Sequence, residues 1–206
     1  MGCCIVVGAG ENDTPIRKKE TGDLVIAADG GFSYLAQYGM EADVVAGDFD
    51  SLLQRPNHPH VLELPKEKDD TDLLFALKYG LSRGYREFHI YGGTGGRVDH
   101  TLANLQCLLY LAQSGAQGFL YGGGNVFTCV KNGSVAFDEA HTGTVSVFAW
   151  GGAASGVYLE ELYYPLTDAH LTPDFPLGVS NAFTGKKSKI TVKNGALLVV
   201  YPYRME

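Results

Sequence analysis

Short apolar runs that stop abruptly at glycine or aspartate recur through the first half of the chain and leave it few ways to fold. Residues 3–7 run into Gly8-Ala9-Gly10, residues 24–28 into Asp29-Gly30-Gly31, residues 43–46 into Gly47-Asp48, and residues 88–91 into Gly92-Gly93. Residues 60–64 and 118–121 are further runs of this kind. Apolar runs without polar alternation suit strands buried on both faces, as in a parallel sheet. Between them, residues 71–83 place Leu74, Leu77 and Leu81 at helical spacing before Gly84. Residues 100–114 place Leu102, Leu105, Leu108, Leu109 and Ala112 on one stripe before Gly115. Strand and helix in alternation predict an α/β domain with a mostly parallel, doubly wound sheet.

The pattern changes near Asn125. From Val126 onward, short alternating runs are separated by turn residues, with strands expected over 144–150, 156–159, 189–192 and 196–201. Lys131-Asn132-Gly133 and Lys193-Asn194-Gly195 both carry Asn-Gly, a strong hairpin signal. A boundary near 124 follows, with an α/β domain over 1–124 and a small antiparallel β domain over 125–206.

Of the 206 residues, 45% are hydrophobic and 19% charged, which is enough for an ordered core. The net charge of -7 argues against sequence-independent binding to nucleic acid. No apolar run approaches the ~20 residues that span a bilayer, so no membrane partner is expected. Cys3, Cys4, Cys107 and Cys129 have no CxxC spacing and read as buried, reduced thiols of a cytoplasmic protein.

Carboxylates gather where the buried runs end: Asp29, the pair Asp48 and Asp50 around Phe49, then Asp69, Asp70 and Asp72, and Asp99. Ligands of open parallel sheets bind outside the carboxyl ends of the strands. Acids converging there repel one another unless a cation sits among them, and hard oxygen ligands suit Mg²⁺ bridging to phosphates. Gly92-Gly93-Thr94-Gly95-Gly96-Arg97 adds a loop whose N–H groups can turn toward an anion, a helix start behind it, and a guanidinium fork. It is not a Walker A loop, because no Gly-Lys-Ser/Thr closes it. Gly8-Ala9-Gly10 is not a dinucleotide fingerprint, because Asp13 stands where the third glycine belongs. His100 adjoins Asp99; the other histidines have no ligand spacing.

Together these segments resemble the thiamine pyrophosphokinase family, in order and over nearly the whole chain. Ala28-Asp29-Gly30-Gly31, Gly47-Asp48-Phe49-Asp50-Ser51, Lys68-Asp69-Asp70-Thr71-Asp72, Gly92 through His100, and Gly178-Val179-Ser180-Asn181 carry the likeness. The resemblance implies an α/β nucleotide domain followed by a β-sandwich domain in a homodimer. It implies ATP and Mg²⁺ at the aspartate rim, with Asp29, Gly30, Gly31 and the Gly92–Arg97 loop on ATP. Asp48, Asp50 and Asp72 would hold metal; these three with Arg97 and Asp99 would form the catalytic set. Ser180 and Asn181 match the thiamine side. Eukaryotic members stack thiamine on a tryptophan where this chain has about Val199; Trp150 lies elsewhere.

The implied reaction joins the thiamine hydroxyl to the β-phosphorus of ATP and expels AMP. Either Asp72 or Asp99 would accept the hydroxyl proton. Two rival readings are a haloacid-dehalogenase-like phosphatase with Asp48 as nucleophile, and a non-catalytic sensor of nucleotide or thiamine.

Overall fold

The computed structural model describes residues 2–49, 57–64 and 69–204. Asp50, Ser51 and Lys68 of the motifs above lie outside the described residues. By contacts, the chain divides into two compact units. One comprises Met1–Cys107 with Gly118–Gly123, the other Leu108–Gln117 with Gly124–Glu206. The expected single cut at 124 differs from this in one respect: residues 108–117 group with the second unit, where Leu109 packs against Gly151.

In the first unit, β1 (Cys4–Val7) pairs in parallel with β2 (Leu24–Ala28). β2 pairs with β3 (Val44–Gly47), and β3 with β4 (Val61–Glu63). β5 (Glu87–Tyr91) then pairs in parallel on the other side of β1, and β6 (Gln117–Gly122) follows β5 in the order. The strand order therefore reverses at β1.

Both faces of β1, β2 and β3 are covered, which is why their sequences do not alternate. Ile5, Val7, Val25, Ala27 and Val45 share one cluster with Leu35 of α1 (Gly31–Gln37). On the opposite face, Cys4 and Phe88 meet α2 (Asp72–Ser82) at Gly80, where an added Cβ would stand 2.9 Å from the Cys4 sulfur and 2.7 Å from the Phe88 ring. Each such side chain, fully buried, contributes about 1.5–3 kcal/mol. Thr71 caps α2 by accepting from the Leu74 N–H at 3.2 Å. The third helix, α3 (Val98–Gln113), follows the Gly92–Gly96 loop. All four cysteines are buried and unpaired, and burial pushes the Cys107 thiol up to about 11. Among the described residues, no helix is long and apolar enough to cross a membrane.

The second unit is antiparallel. Its spine is the long pair β7 (Asn125–Phe137) and β12 (Ser188–Pro202). The first part of β12 also pairs with β9 (Ala154–Glu160), which carries β10 (Leu166–Leu171) on its far side. The later part pairs instead with β8 (Thr144–Ala149), which carries β11 (Gly178–Ala182). Val145 and Val147 of β8, Val157 and Leu159 of β9, and Ile190, Leu197 and Val199 of β12 form one core, so the two branches pack on each other.

The hairpin expectation needs correction. The Asn-Gly pairs do not close hairpins; they face each other within β7 and β12, at a register shift between Val192↔Gly133 and Ala196↔Lys131. Asn132 has φ 47 and Gly195 φ 101, and the Gly195 N–H donates to Asn132 Oδ1 at 2.9 Å. A bulge demands the same left-handed backbone as a tight turn, so the local signal was right about conformation and wrong about topology. The helix α1 and the strands β10 and β11 were also unforeseen; β10 and β11 are short, polar and bulged, with little periodicity to read.

The bulge has a direct test. A Cβ at Gly195 would lie 2.6 Å from the Ala153 carbonyl oxygen, at a φ that side chains rarely adopt. Gly195→Ala should lower unfolding free energy by about 1–3 kcal/mol in a denaturant titration. Unchanged stability would show that the bend does not depend on this residue.

Candidate functional site

The end of β1 and the end of β5 continue side by side past the sheet. The Gly8 N–H donates to the Tyr91 carbonyl at 2.8 Å, Gly10 to Gly92 at 2.7 Å, and Glu11 to Thr94 at 2.8 Å. Cβ atoms have no room here: one on Gly10 would stand 2.6 Å from the Thr94 oxygen and 2.7 Å from that of Gly92, which itself has φ 60. The glycines are therefore required by the approach of two backbones.

A cleft of about 440 Å³ opens above this seam, at the carboxyl ends of β1, β2 and β5 and the starts of α2 and α3. The strand order reverses between these same strands, where open α/β sheets bind ligands. Asp29, Asp72, Gly92, Gly93, Thr94, Gly95, Gly96 and Arg97 all line it. Gly30, Gly31, Asp48 and Asp99 are not part of its lining. Gly30 caps α1, and Gly31 is buried against the Val7 carbonyl, a packing position. A larger hollow of about 1080 Å³ lies at the opposite strand ends, near Leu24, Val44, His58 and Tyr85. It carries neither glycine loops nor helix starts, and the cleft is the better candidate on chemistry.

The Asp-Phe-Asp motif gains a physical reason. Phe49 has φ 55 and is buried, with its ring edge 3.2 Å from where a Gly47 Cβ would be. The Phe49 side chain thus lies back against the end of β3, directly after half-buried Asp48. Asp29 also has φ 49, and its N–H donates to the Ala46 carbonyl of β3 at 2.8 Å. Asp70 is held by Lys78 at 2.6 Å, away from the cleft lining. Among the described residues, no group of three His, Cys, Asp or Glu stands close enough to hold a metal by itself.

Arg97 and Asp99 form an exposed ion pair at 2.6 Å. The Arg97 hydrogen bond holds the Asp99 carboxyl below its ordinary pKa, and the same contact raises that of Arg97. Asn104 is buried on α3, and its amide donates to the Gly93 carbonyl at 2.8 Å, fixing the glycine loop from below. Gly8, Ala9, Gly10, His100 and Asn104 line the cleft and were not assigned to it from sequence. Asn104 shares the buried side of α3 with Cys107, Leu108 and Leu111, while Leu102 of the expected stripe is exposed; a lone amide at that spacing was the available signal.

In the second unit, Ser180 and Asn181 have opposite environments. Ser180 is exposed with φ 59, and its N–H donates to Ser146 Oγ at 3.1 Å. Asn181 is buried; its Oδ1 accepts from the Tyr164 N–H at 2.8 Å and its Nδ2 donates to the Tyr164 carbonyl at 2.7 Å. Its side chain thus stands in for a strand neighbour. Val199 is fully buried and offers no surface for stacking.

The family model for "Thiamin pyrophosphokinase, catalytic domain" matches residues 17–120, and that for "Thiamin pyrophosphokinase, vitamin B1 binding domain" matches residues 134–198. The chain is 26% identical over 205 residues to a thiamine pyrophosphokinase of Bacillus subtilis (strain 168), covering 95% of this chain and 96% of that protein. A crystal structure of Bacillus subtilis thiamine pyrophosphokinase superposes with a TM-score of 0.86 at 25% identity, over 98% of this chain and 100% of the other. The yeast enzyme's structure superposes at 0.77 and 16% identity, over 98% and 86%, which shows the shared fold.

Proposed function

The chain belongs to the thiamin pyrophosphokinase family and is an ATP-dependent pyrophosphotransferase acting on thiamine, and from that premise we propose that the cleft of the first unit binds ATP. The observation that carries this reading is the cleft's position where the strand order reverses, with glycine loops, two helix starts and Arg97 in its lining. The matched catalytic and vitamin-binding domains do not favour the phosphatase or sensor readings.

The glycine-loop N–H groups and Arg97 would stabilise charge developing on the transferring oxygens. Magnesium asks for one or two carboxylates plus substrate phosphates, a demand that Asp72 in the cleft and half-buried Asp48 suit. With Asp50, these acids would hold an ion that, when bound, neutralises phosphate charge. Asp72, not Asp99, is our choice for the proton acceptor. Asp99 is outside the cleft lining.

The second unit is read as the β-sandwich that binds thiamine. Exposed Ser180 would touch it, and Asn181 would hold the Tyr163-Tyr164 segment in place. Tyr163, Tyr164, Phe175 and Leu177 are exposed near β11, and their burial in a homodimer is part of this reading. Sedimentation that finds only monomer would remove it. A cytoplasmic location suits the four buried free thiols.

With ATP, magnesium and thiamine, the products should be AMP and thiamine diphosphate; ADP with thiamine monophosphate would overturn the pyrophosphoryl assignment. Asp72→Asn should lower kcat by about 10²–10⁴-fold, the usual range for losing a general base. Asp99→Asn should cost less than about tenfold. The reverse ranking would move the proton acceptor to Asp99.

A further inference from the structure

Glu11 ends the seam between the two loops. Its N–H donates to the Thr94 carbonyl at 2.8 Å, and its carboxylate accepts from the Gly96 N–H at 3.0 Å. The side chain also lies over Gly95: a Cβ there would stand 2.6 Å from both Glu11 Cγ and Oε2, and Gly95 has φ 77. One residue thus grips the loop from main chain and side chain, on either side of Gly95. The next residue after Gly96 is Arg97, whose carbonyl accepts the Thr101 N–H at the first turn of α3. Among the described residues, no lysine or arginine pairs with Glu11. Among the described residues, the Glu11 carboxylate is engaged by the Gly96 N–H.

We propose that Glu11 is a positioning residue for pyrophosphoryl transfer, fixing the Gly95-Gly96 turn so that Arg97 is presented to the cleft. The proposal rests on reading that cleft as the ATP site. The role requires an acceptor at this position. It does not require a charge, since a carboxylate beside a polyphosphate repels it. A glutamine reaches as far and offers the same acceptor oxygen; alanine offers none.

The test is steady-state kinetics on full-length Glu11→Ala, Glu11→Gln, Arg97→Ala and the double variant Glu11→Ala/Arg97→Ala. Thermal unfolding of each confirms that the chain is folded. Glu11→Ala should lose about tenfold in kcat, the effect of one hydrogen bond to a charged group. Glu11→Gln should recover to within about threefold of wild type, and the thiamine KM should stay unchanged in both. Because Glu11 acts through Arg97, the double variant should be no worse than Arg97→Ala alone. Wild-type kinetics in Glu11→Ala, equal losses in the alanine and glutamine variants, a parallel rise in thiamine KM, or additive losses in the double variant would each overturn the assignment. Should Glu11→Ala fail to fold, Glu11→Gln and Glu11→Asp carry the test. The shortened carboxylate of Glu11→Asp should then show the kcat loss that Glu11→Gln does not, and equal kcat in the two would overturn the proposal. Wild-type kinetics in Arg97→Ala would instead overturn the reading of the cleft itself.

Discussion

Two backbones lying against each other without side chains between them set the conditions for the first unit's site. Gly8, Gly10 and Gly92 let the ends of β1 and β5 run on past the sheet in hydrogen-bonded contact. A single Cβ at Gly10 would push the loops apart by several tenths of an ångström, because the atoms it meets are carbonyl oxygens of fixed backbone. That seam is also where the strand order changes direction, and the starts of α2 and α3 line the cleft above it. Asn104 beneath and Glu11 at the end tie the Gly93 carbonyl and the Gly96 N–H, and leave other loop groups to face the cleft. Rigidity here comes from hydrogen bonds between loops, since glycines alone would leave them disordered.

Backbone strain is distributed in a way that follows the same motifs. Asp29, Phe49 and Ser180 all sit at positive φ, each inside a segment that the family resemblance singled out. A non-glycine residue held there costs on the order of 1–3 kcal/mol and persists only where its surroundings fix it. For Phe49 the fixing is visible: the ring is buried in the cluster around Ile5, Val25 and Val45. For Asp29 it is the N–H bond to Ala46, one strand over. Ser180 is held through its N–H to Ser146.

The parts legible in sequence were those set by short-range physics. Unalternated apolar runs marked β1, β2 and β3 within a residue of their ends, because burial on both faces leaves no polar positions; the run 88–91 marked β5 as closely although His89 interrupts it. Thr71 and the glycine stops bounded α2 for similar local reasons. What escaped was set by contacts distant in the chain. Glu11 meets Gly96 across 85 residues, and Asn132 meets Gly195 across 63. Nothing near either residue announces the partner. Asn181 shows a different limit: a Ser-Asn pair offers a donor and an acceptor wherever it stands, and only the fold reveals that Tyr164 has already taken them.

The acidic balance of the chain and its reading as an ATP-binding protein are compatible for a local reason. Arg97 carries its own counter-ion, Asp99, in a pair that is largely exposed on both sides. Solvent-exposed ion pairs contribute little to stability, because water competes for both partners. Exchanging the Asp99 carboxylate for a phosphate oxygen therefore sacrifices little, and the guanidinium gains a more highly charged partner with matching geometry. A buried Arg-Asp pair could not be exchanged so cheaply, since separating it would strand a charge out of water. On the reading of the cleft as the ATP site, the exposure of Arg97 is what suits it to its task. On the same reading, the carboxylate beside it would balance the guanidinium before nucleotide binds.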